Sequence, residues 1–442
     1  MLRNKKILIF LLFCLFHFQI YAAPLVGFFT PSGIPQELIP RMHMGKINVY
    51  NLEQVEESFR LTAGTMFRIS VDFGPLITLV IDPAQLKMEY QDQTGKIRTK
   101  IFMPEKTNKL RAFYPDQFLQ EYLAPYLDVL ARYPSNIGTV FLADEPYLNG
   151  IPKEELERAG RLVRKELDKR NLNHVGLGVI FAGGMFDRDF ANLISQQAGA
   201  YVTKIDDYYV NGKLNDNSKD FEKWVEIIQR NRLVTYDRAG NMYVNGGLPE
   251  GFGVIGFDLY LSTLLLDSTH EQTLAWLANR YPQYGCAQFY GQPMTKIRSR
   301  LSFFQDGVVK QDDHYQREDK ALLDTIFTCR MGAITNMLKK AASSHPHSIK
   351  FLMYSESSNN GLLEFNSKGV PEQKQPEKLV ESRVLDEVMR AQHFYLQNQD
   401  SYGAGLMYFT YQDEYDKTIK LNIGGVIGMP AVLNNIFNFA KP

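Results

Sequence analysis

The sequence has few cysteines and tryptophans, and it lacks several motifs of well-known enzyme classes. Of its 442 residues, 3 are Cys and 2 are Trp. Neither the Gly-x-Gly-x-x-Gly pattern of dinucleotide-binding folds nor a phosphate-binding P-loop occurs in it. A Gly-x-Ser-x-Gly elbow is also missing. These absences argue against a doubly wound nucleotide-binding sheet and against a serine hydrolase triad.

The chain also lacks an excess of charge of either sign. Lys and Arg together number 49, and so do Asp and Glu. Nucleic-acid-binding domains carry a basic patch or stripe, so we expect no nucleic-acid partner. Past the first 22 residues, no segment is apolar for long enough to span a bilayer.

The first 22 residues have the composition of a secretory signal peptide. Three basic residues precede an apolar run over residues 7–18, and Ala22 and Ala23 offer small residues for cleavage. Cleavage removes three of the 49 basic residues and no acidic residue, which leaves 46 against 49 and a net charge of −3. The segment predicts a secreted or periplasmic protein, with an uncleaved anchor as the lesser alternative.

Two cysteines, Cys286 and Cys329, remain after the signal peptide. In an oxidising compartment they can form one disulfide, and two buried free thiols are an equal alternative. Neither has the spacing of a metal site or of a redox dithiol. The sequence therefore predicts neither a cofactor nor a metal ion.

Apolar strand-like segments alternate with helical segments of ten or more residues, which is typical of a parallel sheet with helical crossovers. We predict an α/β fold, a (β/α)8 TIM-type barrel formed by a single domain over residues 23–442. Because eight strands close such a barrel, one of nine candidates must lie outside it. The strand near residue 254 is the weakest member, because a hairpin pattern precedes it. The candidates begin near residues 25, 47, 66, 139, 175, 200, 254, 349 and 406.

Two insertions into the barrel are expected. Residues 87–102 alternate about a Gly-containing turn, which predicts a β-hairpin inserted over about residues 84–112. The second insertion covers residues 237–345 and is mainly helical in pattern from residue 262. An insertion of this length should overhang one end of the barrel and shape access to it.

Acidic residues follow several of the predicted strands. In a barrel, the carboxyl ends of all strands meet at one mouth, where active sites lie. Such a ring of carboxylates suits acid–base chemistry or a metal-dependent hydrolase. The alternative is that strand ends are simply where polar residues belong. The acids are Asp72, Asp144, Glu145, Asp206, Asp207, Glu356, Asp413 and Glu414.

The sequence around residues 139–147 resembles a known enzyme family. An apolar strand ends there at Asp144 and Glu145, and Pro146 cannot continue a strand ladder. Strand followed by Asp-Glu-Pro is similar to the Asn-Glu-Pro signature of the large (β/α)8 clan of retaining glycosidases. In that clan the Glu at the end of the fourth strand is the acid/base, and a Glu that ends the seventh strand is the nucleophile.

The resemblance implies a glycoside hydrolase that cleaves an O-glycosidic bond with two carboxyl groups. Carried over by position, Glu145 would be the acid/base and Glu356 the nucleophile. Asp144 stands where the clan has Asn, and a carboxylate can accept a hydrogen bond from a sugar hydroxyl but cannot donate one. A second negative charge beside Glu145 should also raise a pKa, as an acid catalyst requires.

Further contacts to a carbohydrate substrate are expected from polar and aromatic residues near the strand ends, since sugar rings stack on aromatic faces. A tyrosine that merely fills the rim is an equal alternative for each one. A glycan-binding barrel that has lost catalysis remains the main alternative function. The predicted contacts are Asp144, Tyr147, Asp206, Asp207, Tyr208, Tyr354, Tyr411 and Asp413.

Overall fold

We analysed a computed structural model of the chain. The structure describes residues 24–81, 87–91, 97–101, 103–104, 110–147, 149, 151, 153–182, 199–204, 234–236, 242–245, 247–259, 277–289, 291, 319–343, 345–365, 371–373, 375–416 and 421–441.

The strands and helices of these residues follow one another in the alternation that the sequence predicts. In chain order the strands are β1 (Val26–Phe29), β2 (Met44–Asn48), β3 (Arg68–Asp72), β4 (Thr78–Ile81), β5 (Lys87–Gln91), β6 (Ile97–Ile101), β7 (Met103–Pro104), β8 (Leu110–Phe113), β9 (Ile137–Asp144), β10 (Gly176–Ala182), β11 (Gly199–Lys204), β12 (Val234–Tyr236), β13 (Met242–Asn245), β14 (Val254–Asp258), β15 (Lys350–Glu356), β16 (Glu364–Phe365), β17 (Pro371–Glu372), β18 (Gly405–Phe409), β19 (Glu414–Asp416) and β20 (Leu421–Ile423). The helices are α1 (Leu52–Thr62), α2 (Gly74–Ile77), α3 (Asp116–Arg132), α4 (Lys153–Asp168), α5 (Asp319–Ser343), α6 (Glu377–Gln397) and α7 (Pro430–Phe439).

Eight parallel strands close into a barrel in the order β1, β2, β3, β9, β10, β14, β15, β18, and β18 pairs with β1 to complete the ring. The predicted (β/α)8 barrel is therefore confirmed. In this order β9 is the fourth strand and β15 the seventh. Glu145 follows the fourth strand and Glu356 ends the seventh, as the predicted clan position requires.

One strand assignment was wrong. The strand near residue 254, which we expected to be the surplus one, is β14, and it pairs in parallel with both β10 and β15. The surplus strand is β11, which pairs antiparallel with β13 and β7 in a separate sheet. The two segments have similar local patterns, and only their pairing partners distinguish them. The sixth barrel strand therefore lies within the range 237–345 that we predicted to be an insertion.

Side chains of the barrel strands alternate between two packed layers, as strand geometry dictates. One set points into the barrel and the other packs beneath the surrounding helices. On β15, for example, Leu352 and Tyr354 belong to the inner cluster, whereas Phe351 and Met353 belong to the outer one. The inner cluster consists of Phe29, Met44, Phe141, Ile180, Val254, Leu352, Tyr354 and Met407.

The helices cover the outer layer through narrow apolar stripes. In α4 the buried positions include Leu156, Ala159, Val163 and Leu167, whose spacing of three and four residues places them on one face. The rest of this strongly charged helix faces water or forms ion pairs.

The hairpin expected near residues 84–112 is present between the third and fourth barrel strands. There β5 pairs antiparallel with β6, and β4 with β8. Between β14 and β15 the long helix α5 lies beside two 3-10 segments, Pro282–Tyr284 and Cys286–Phe289, and a disulfide between Cys286 and Cys329 joins it to the second of them. The disulfide decides between the two states that the sequence left open. No helix among the described residues is long and apolar enough to cross a membrane.

Two glycines of β10 offer a matched test of barrel packing. A Cβ on Gly178 would lie 2.6 Å from Phe141 and Thr139 side-chain carbons, whereas one on Gly176 would meet nothing closer than 3.7 Å. Overpacking of a rigid core typically costs about 1–3 kcal/mol. We therefore expect Gly178→Ala to lower the free energy of unfolding by about that amount.

The Gly176→Ala control should leave stability unchanged or raise it slightly, because alanine restricts the unfolded chain more than glycine does. Urea denaturation monitored by circular dichroism measures both variants. Equal destabilisation by the two would contradict the packing of β10 against β9.

Candidate active site

A bulge in the fourth barrel strand sets the position of the predicted acid pair. Along the β9–β10 ladder, Phe141 pairs with Gly178 and Asp144 pairs with Ile180, so β9 has one more residue than its partner. Such bulges redirect side chains and are common next to active sites. Here the extra residue comes immediately before Asp144 and Glu145.

The backbone of Glu145 is held in a conformation that is unfavourable for its residue type. Its φ angle is +46°, in the left-handed region, which costs a residue with a Cβ about 1–2 kcal/mol. Its amide donates to the Ile180 carbonyl at 2.9 Å, and its carbonyl accepts from the backbone and side-chain nitrogens of Asn149, each at 3.1 Å. Backbone outliers of this kind cluster at functional sites and persist where their surroundings hold them.

A buried ion pair lies inside the barrel between the second and third strands. Lys46 Nζ is 2.7 Å from Asp72 Oδ2, and each side chain is only 2% exposed. The other Asp72 oxygen accepts from the Gly74 amide at 2.9 Å. The ammonium lies 4.6 Å from the ring centroid of Phe29 and 5.6 Å from that of Phe141. Both charges are thus compensated locally.

Lys46 keeps its proton in this setting. Burial alone would lower its pKa, but Asp72, Tyr354 and Asp144 outweigh that effect and raise it. The sequence pattern did not identify this residue because the predicted strand began near residue 47, whereas the strand begins at Met44. The available signal was alternation: Lys46 is two residues from Met44, which points into the barrel.

Asp144 belongs to the same charged cluster. The residue is partly exposed to solvent. The surrounding protein nevertheless desolvates the carboxyl group, and this desolvation raises its pKa. The positive charge of Lys46 opposes that rise, the negative charge of Asp72 adds to it, and Arg111 also opposes it. Arg111 is oriented by a 3.0 Å hydrogen bond to Thr78 Oγ1.

Tyr354 provides a buried hydroxyl without a partner. Its side chain points into the barrel from β15 and is 4% exposed, and its hydroxyl makes no hydrogen bond among the described residues. Burial raises its pKa, with opposing and reinforcing contributions from Lys46 and Asp144, respectively. A buried polar group left unpaired costs about 1–3 kcal/mol. A ligand in the barrel mouth could remove that cost.

Glu356 has different surroundings from Asp144 and Tyr354. It is 2% exposed, and its Oε1 accepts from the Gly361 amide at 2.6 Å. Its other oxygen, Oε2, makes no hydrogen bond among the described residues. Burial, and then the Glu387 charge, raise the pKa of Glu356 well above its usual value.

Two of the predicted sugar-contacting tyrosines are packing residues in this structure. Tyr147 is fully buried, donates to the Gly247 carbonyl at 2.5 Å and packs against Phe181. Tyr411 is 3% exposed and donates to Glu37 at 3.1 Å, and burial together with that carboxylate raises its pKa to about 12. Both belong to the outer layer beneath the helices.

A cavity of about 450 Å³ lies between the loops that follow the seventh and eighth barrel strands. Asn359, Asp413, Glu414 and Tyr415 are among its lining residues. Asp413 accepts from the Gly425 amide at 2.9 Å. Glu414 accepts from Thr410 at 3.2 Å, and burial raises its pKa to about 7 against the opposing effects of Thr410 and Lys46.

The remaining predicted contacts, Asp206, Asp207 and Tyr208, lie outside the described residues. Within the described ranges, no three His, Cys, Asp or Glu side chains gather in an arrangement that could hold a metal ion. The structure thus brings Asp144 and Tyr354 together with Lys46 and Asp72, and it places Glu356 against Glu387.

Solved structures of carbohydrate-active enzymes resemble this chain in architecture. A glycoside hydrolase family 5 enzyme from Prevotella bryantii B14 aligns over 94% of this chain and 95% of that chain, with 9% identity and a TM-score of 0.38. A plant β-glucan endohydrolase aligns over 92% of this chain and 95% of that chain, with 12% identity and a TM-score of 0.33. A β-glucosidase from Thermotoga maritima aligns over 92% of this chain and 86% of that chain, with 10% identity and a TM-score of 0.34.

No protein-family model matches the sequence, and no curated protein matches it. The class of protein follows from the strand order of the barrel itself. This chain is a (β/α)8 barrel with acidic residues at the carboxyl ends of its strands.

The buried Lys46–Asp72 ion pair predicts that removal of its cation alone destabilises the protein more than removal of both charges. Lys46→Met leaves the Asp72 carboxylate buried without its cation, and we expect a loss of about 3–5 kcal/mol in the free energy of unfolding. Adding Asp72→Asn should recover part of that loss, because the uncompensated charge is removed. The exposed Arg60–Glu57 pair is the control, and Arg60→Met should cause no measurable change. Denaturant titration measures the free energy of unfolding of each variant. Equal losses for Lys46→Met alone and for Lys46→Met combined with Asp72→Asn would contradict the prediction.

The raised pKa of Glu414 predicts a pH-dependent stability. The folded protein holds its proton up to about pH 7, whereas the ordinary pKa is 4.5. The stabilising contribution is therefore complete below 4.5 and is lost as the pH rises through 7. Glu414→Gln removes this loss, so at pH 8 it should exceed wild type by about 1–3 kcal/mol, allowing for partial solvent screening.

Thermal unfolding between pH 4 and 8 measures this difference. Glu154→Gln, on the exposed face of α4, controls for the loss of one carboxyl group. A constant difference between wild type and Glu414→Gln across the range would contradict the assignment.

Proposed function

We propose that this protein is a glycoside hydrolase whose chemistry takes place at the barrel mouth, with Glu145 as the general acid/base. The observation that carries the proposal is the unpartnered, buried Tyr354 hydroxyl within the charged cluster of Lys46, Asp72 and Asp144. A buried hydroxyl that lacks a partner and lies among charged groups in a concave site suits a ligand rich in hydroxyl groups.

The backbone at Glu145 supports its assignment as the acid. Glycoside hydrolysis requires one carboxylic acid to protonate the leaving oxygen. Glu145 follows the fourth barrel strand and is fixed by three hydrogen bonds in a left-handed conformation. A side chain whose backbone is held so firmly presents its carboxyl group in a restricted set of directions, as acid catalysis requires.

The nucleophile role of Glu356 stays a prediction, and its surroundings favour a different role. A carboxylate nucleophile must be ionised, whereas burial and the neighbouring Glu387 favour the protonated form of Glu356. The hydrogen bond from the Gly361 amide joins the end of β15 to the loop that follows it. We therefore assign Glu356 to holding the end of the seventh strand against that loop.

The cluster is arranged differently from a metal-dependent hydrolase site. Lys46 places a permanent positive charge 2.7 Å from Asp72, where a metal ion would otherwise compensate the acids. Glycan binding without catalysis is the alternative that the acid variant below distinguishes.

We also propose that the protein works outside the cytoplasm, as a secreted or periplasmic enzyme. The predicted signal peptide at residues 1–22, which lies outside the described residues, is one support. The Cys286–Cys329 disulfide is the other, because structural disulfides persist chiefly in oxidising compartments.

Replacement of Glu145 by glutamine tests the acid role. A positioned general acid contributes about 10²–10⁴-fold to rate, so kcat on aryl glycosides should fall by that factor. The fall should be smaller for leaving groups of low pKa, which need less protonation. Glu154→Gln, on the exposed face of α4, should retain wild-type kcat.

Equal activity of wild type and Glu145→Gln would overturn the assignment of Glu145 as the acid. Glycan binding by the wild type without turnover would favour the alternative of a binding barrel that has lost catalysis.

A further inference from the structure

We propose that the cavity between the loops after the seventh and eighth barrel strands is a subsite for one sugar residue of an uncharged oligosaccharide. The ring of Tyr415 stacks against that sugar, and the polar residues of the cavity bind its hydroxyl groups. This inference rests on the proposed glycoside hydrolase function and names the class of its substrate.

Two short β-hairpins supply most of the cavity lining. The first, formed by β16 and β17, follows the seventh barrel strand, and the second, formed by β19 and β20, follows the eighth. Strand β17 contacts β20, so the two hairpins stand side by side. The cavity volume of about 450 Å³ lies within the range of small-molecule sites, about 300–1,000 Å³.

Asn359 joins the two hairpins through both ends of its side-chain amide. Its Oδ1 accepts from the Gly424 amide at 2.7 Å, and its Nδ2 donates to Gln373 Oε1 at 2.7 Å. Its backbone amide also donates to the Gly424 carbonyl at 3.1 Å. Because Asn359 is only 7% exposed, water competes little for these hydrogen bonds. The cavity is therefore preorganised, and a ligand needs to order little of the protein.

Tyr415 offers an aromatic surface to a ligand in this cavity. It lines the cavity, yet its side chain is 55% exposed. It stands directly opposite Asn422 in the β19–β20 ladder, and side chains of such a cross-strand pair are neighbours on one face. A sugar ring can stack its C–H face on the tyrosine while hydroxyl groups at its edge bond the adjacent amide.

The charged residues that line the cavity are acidic wherever the structure describes them. They are Glu372, Asp413 and Glu414, and they do not form a group that could hold a metal ion. Carboxylates accept hydrogen bonds from hydroxyl groups, whereas a ligand of like charge would be repelled. The lining therefore favours an uncharged sugar over a uronic acid or a sulfated sugar.

The cavity adjoins the barrel mouth on the side away from Glu145. The hydroxyl of Thr410, which follows β18, lies 3.0 Å from the Phe29 carbonyl at the end of β1 and 3.2 Å from Glu414 Oε1. The cavity lining is thus hydrogen-bonded to the rim of the barrel. In the closed strand order β18 is the eighth and β9 the fourth, so these two strands face one another across the ring. A glycan that spans the mouth would place one sugar at Glu145 and another in this cavity.

Isothermal titration calorimetry of the purified protein tests this subsite, with Glu145→Gln present to slow turnover. The neutral probes are cellotetraose, mannotetraose and xylotetraose, and tetragalacturonate is the anionic probe of the same length. We expect at least one neutral tetrasaccharide to bind. Tetragalacturonate should bind about 10-fold more weakly or less, because its carboxylates would meet those of the cavity.

Two variants in the same Glu145→Gln background remove the proposed contacts. Tyr415→Ala should raise the Kd of the bound tetrasaccharide by about 10-fold, and Asn422→Ala should raise it by about 3-fold or more. Both residues are exposed, so thermal unfolding midpoints should stay unchanged. Tyr122→Ala is the matched control, because it removes a tyrosine that is 41% exposed on α3 and does not line the cavity; its Kd should equal that of the background.

The outcomes separate the subsite from the hydrolase function. An unchanged Kd in both Tyr415→Ala and Asn422→Ala would overturn the subsite, and so would the failure of all three neutral tetrasaccharides to bind. Tetragalacturonate binding as tight as that of the neutral probes would overturn the substrate class. Weakened tetrasaccharide binding in the two variants, with no hydrolysis of aryl glycosides by the wild type, would support the subsite and overturn the hydrolase function alone.

Discussion

The buried pair of Lys46 and Asp72 is the interaction on which the barrel mouth depends. Two charges taken out of water are stable only when each is well compensated, and here the ammonium has a carboxylate at 2.7 Å and two aromatic rings above it. The same ammonium opposes the rise in the pKa of Asp144 and acts on Tyr354. The polar cluster within the barrel is therefore one electrostatic unit, because removal of its buried ammonium would change the pKa of both Asp144 and Tyr354.

Burial raises the pKa of three carboxyl groups near the strand ends, but each has a different neighbour. Lys46 and Arg111 oppose the rise in the pKa of Asp144, and Thr410 and Lys46 oppose the rise for Glu414. Glu387 raises the pKa of Glu356 further. Environments that differ in this way are how carboxyl groups of one site acquire different roles. By this criterion the raised pKa of Glu356 favours its protonated form, whereas Glu414, with a pKa of about 7, changes its charge near neutral pH beside an adjoining cavity.

The architecture and the place of Glu145 could be predicted from the sequence because they depend on local signals. Apolar strands, helical stripes and the stop at Pro146 suffice to count strands and to find the fourth and seventh. Pairing partners are not local, and for that reason β14 was mistaken for the surplus strand in place of β11. The cluster was harder still. Lys46 meets Asp72 across 26 residues, and Glu356 meets Glu387 only because α6 folds back over the barrel. Strand position thus identified Glu356 as a candidate, whereas its protonation depends on a helix that comes later in the chain.

The left-handed backbone at Glu145 has a consequence for how this fold would change over evolutionary time. Glycine, and less often asparagine and aspartate, adopt that conformation at little cost, so the proposed acid role would explain why a glutamate stands there. In a descendant that no longer needed the acid, substitution by one of those three residues would relieve the backbone and stabilise the barrel at once. Under the proposed acid role, the residue at this position would distinguish active from inactive descendants of the barrel by sequence alone.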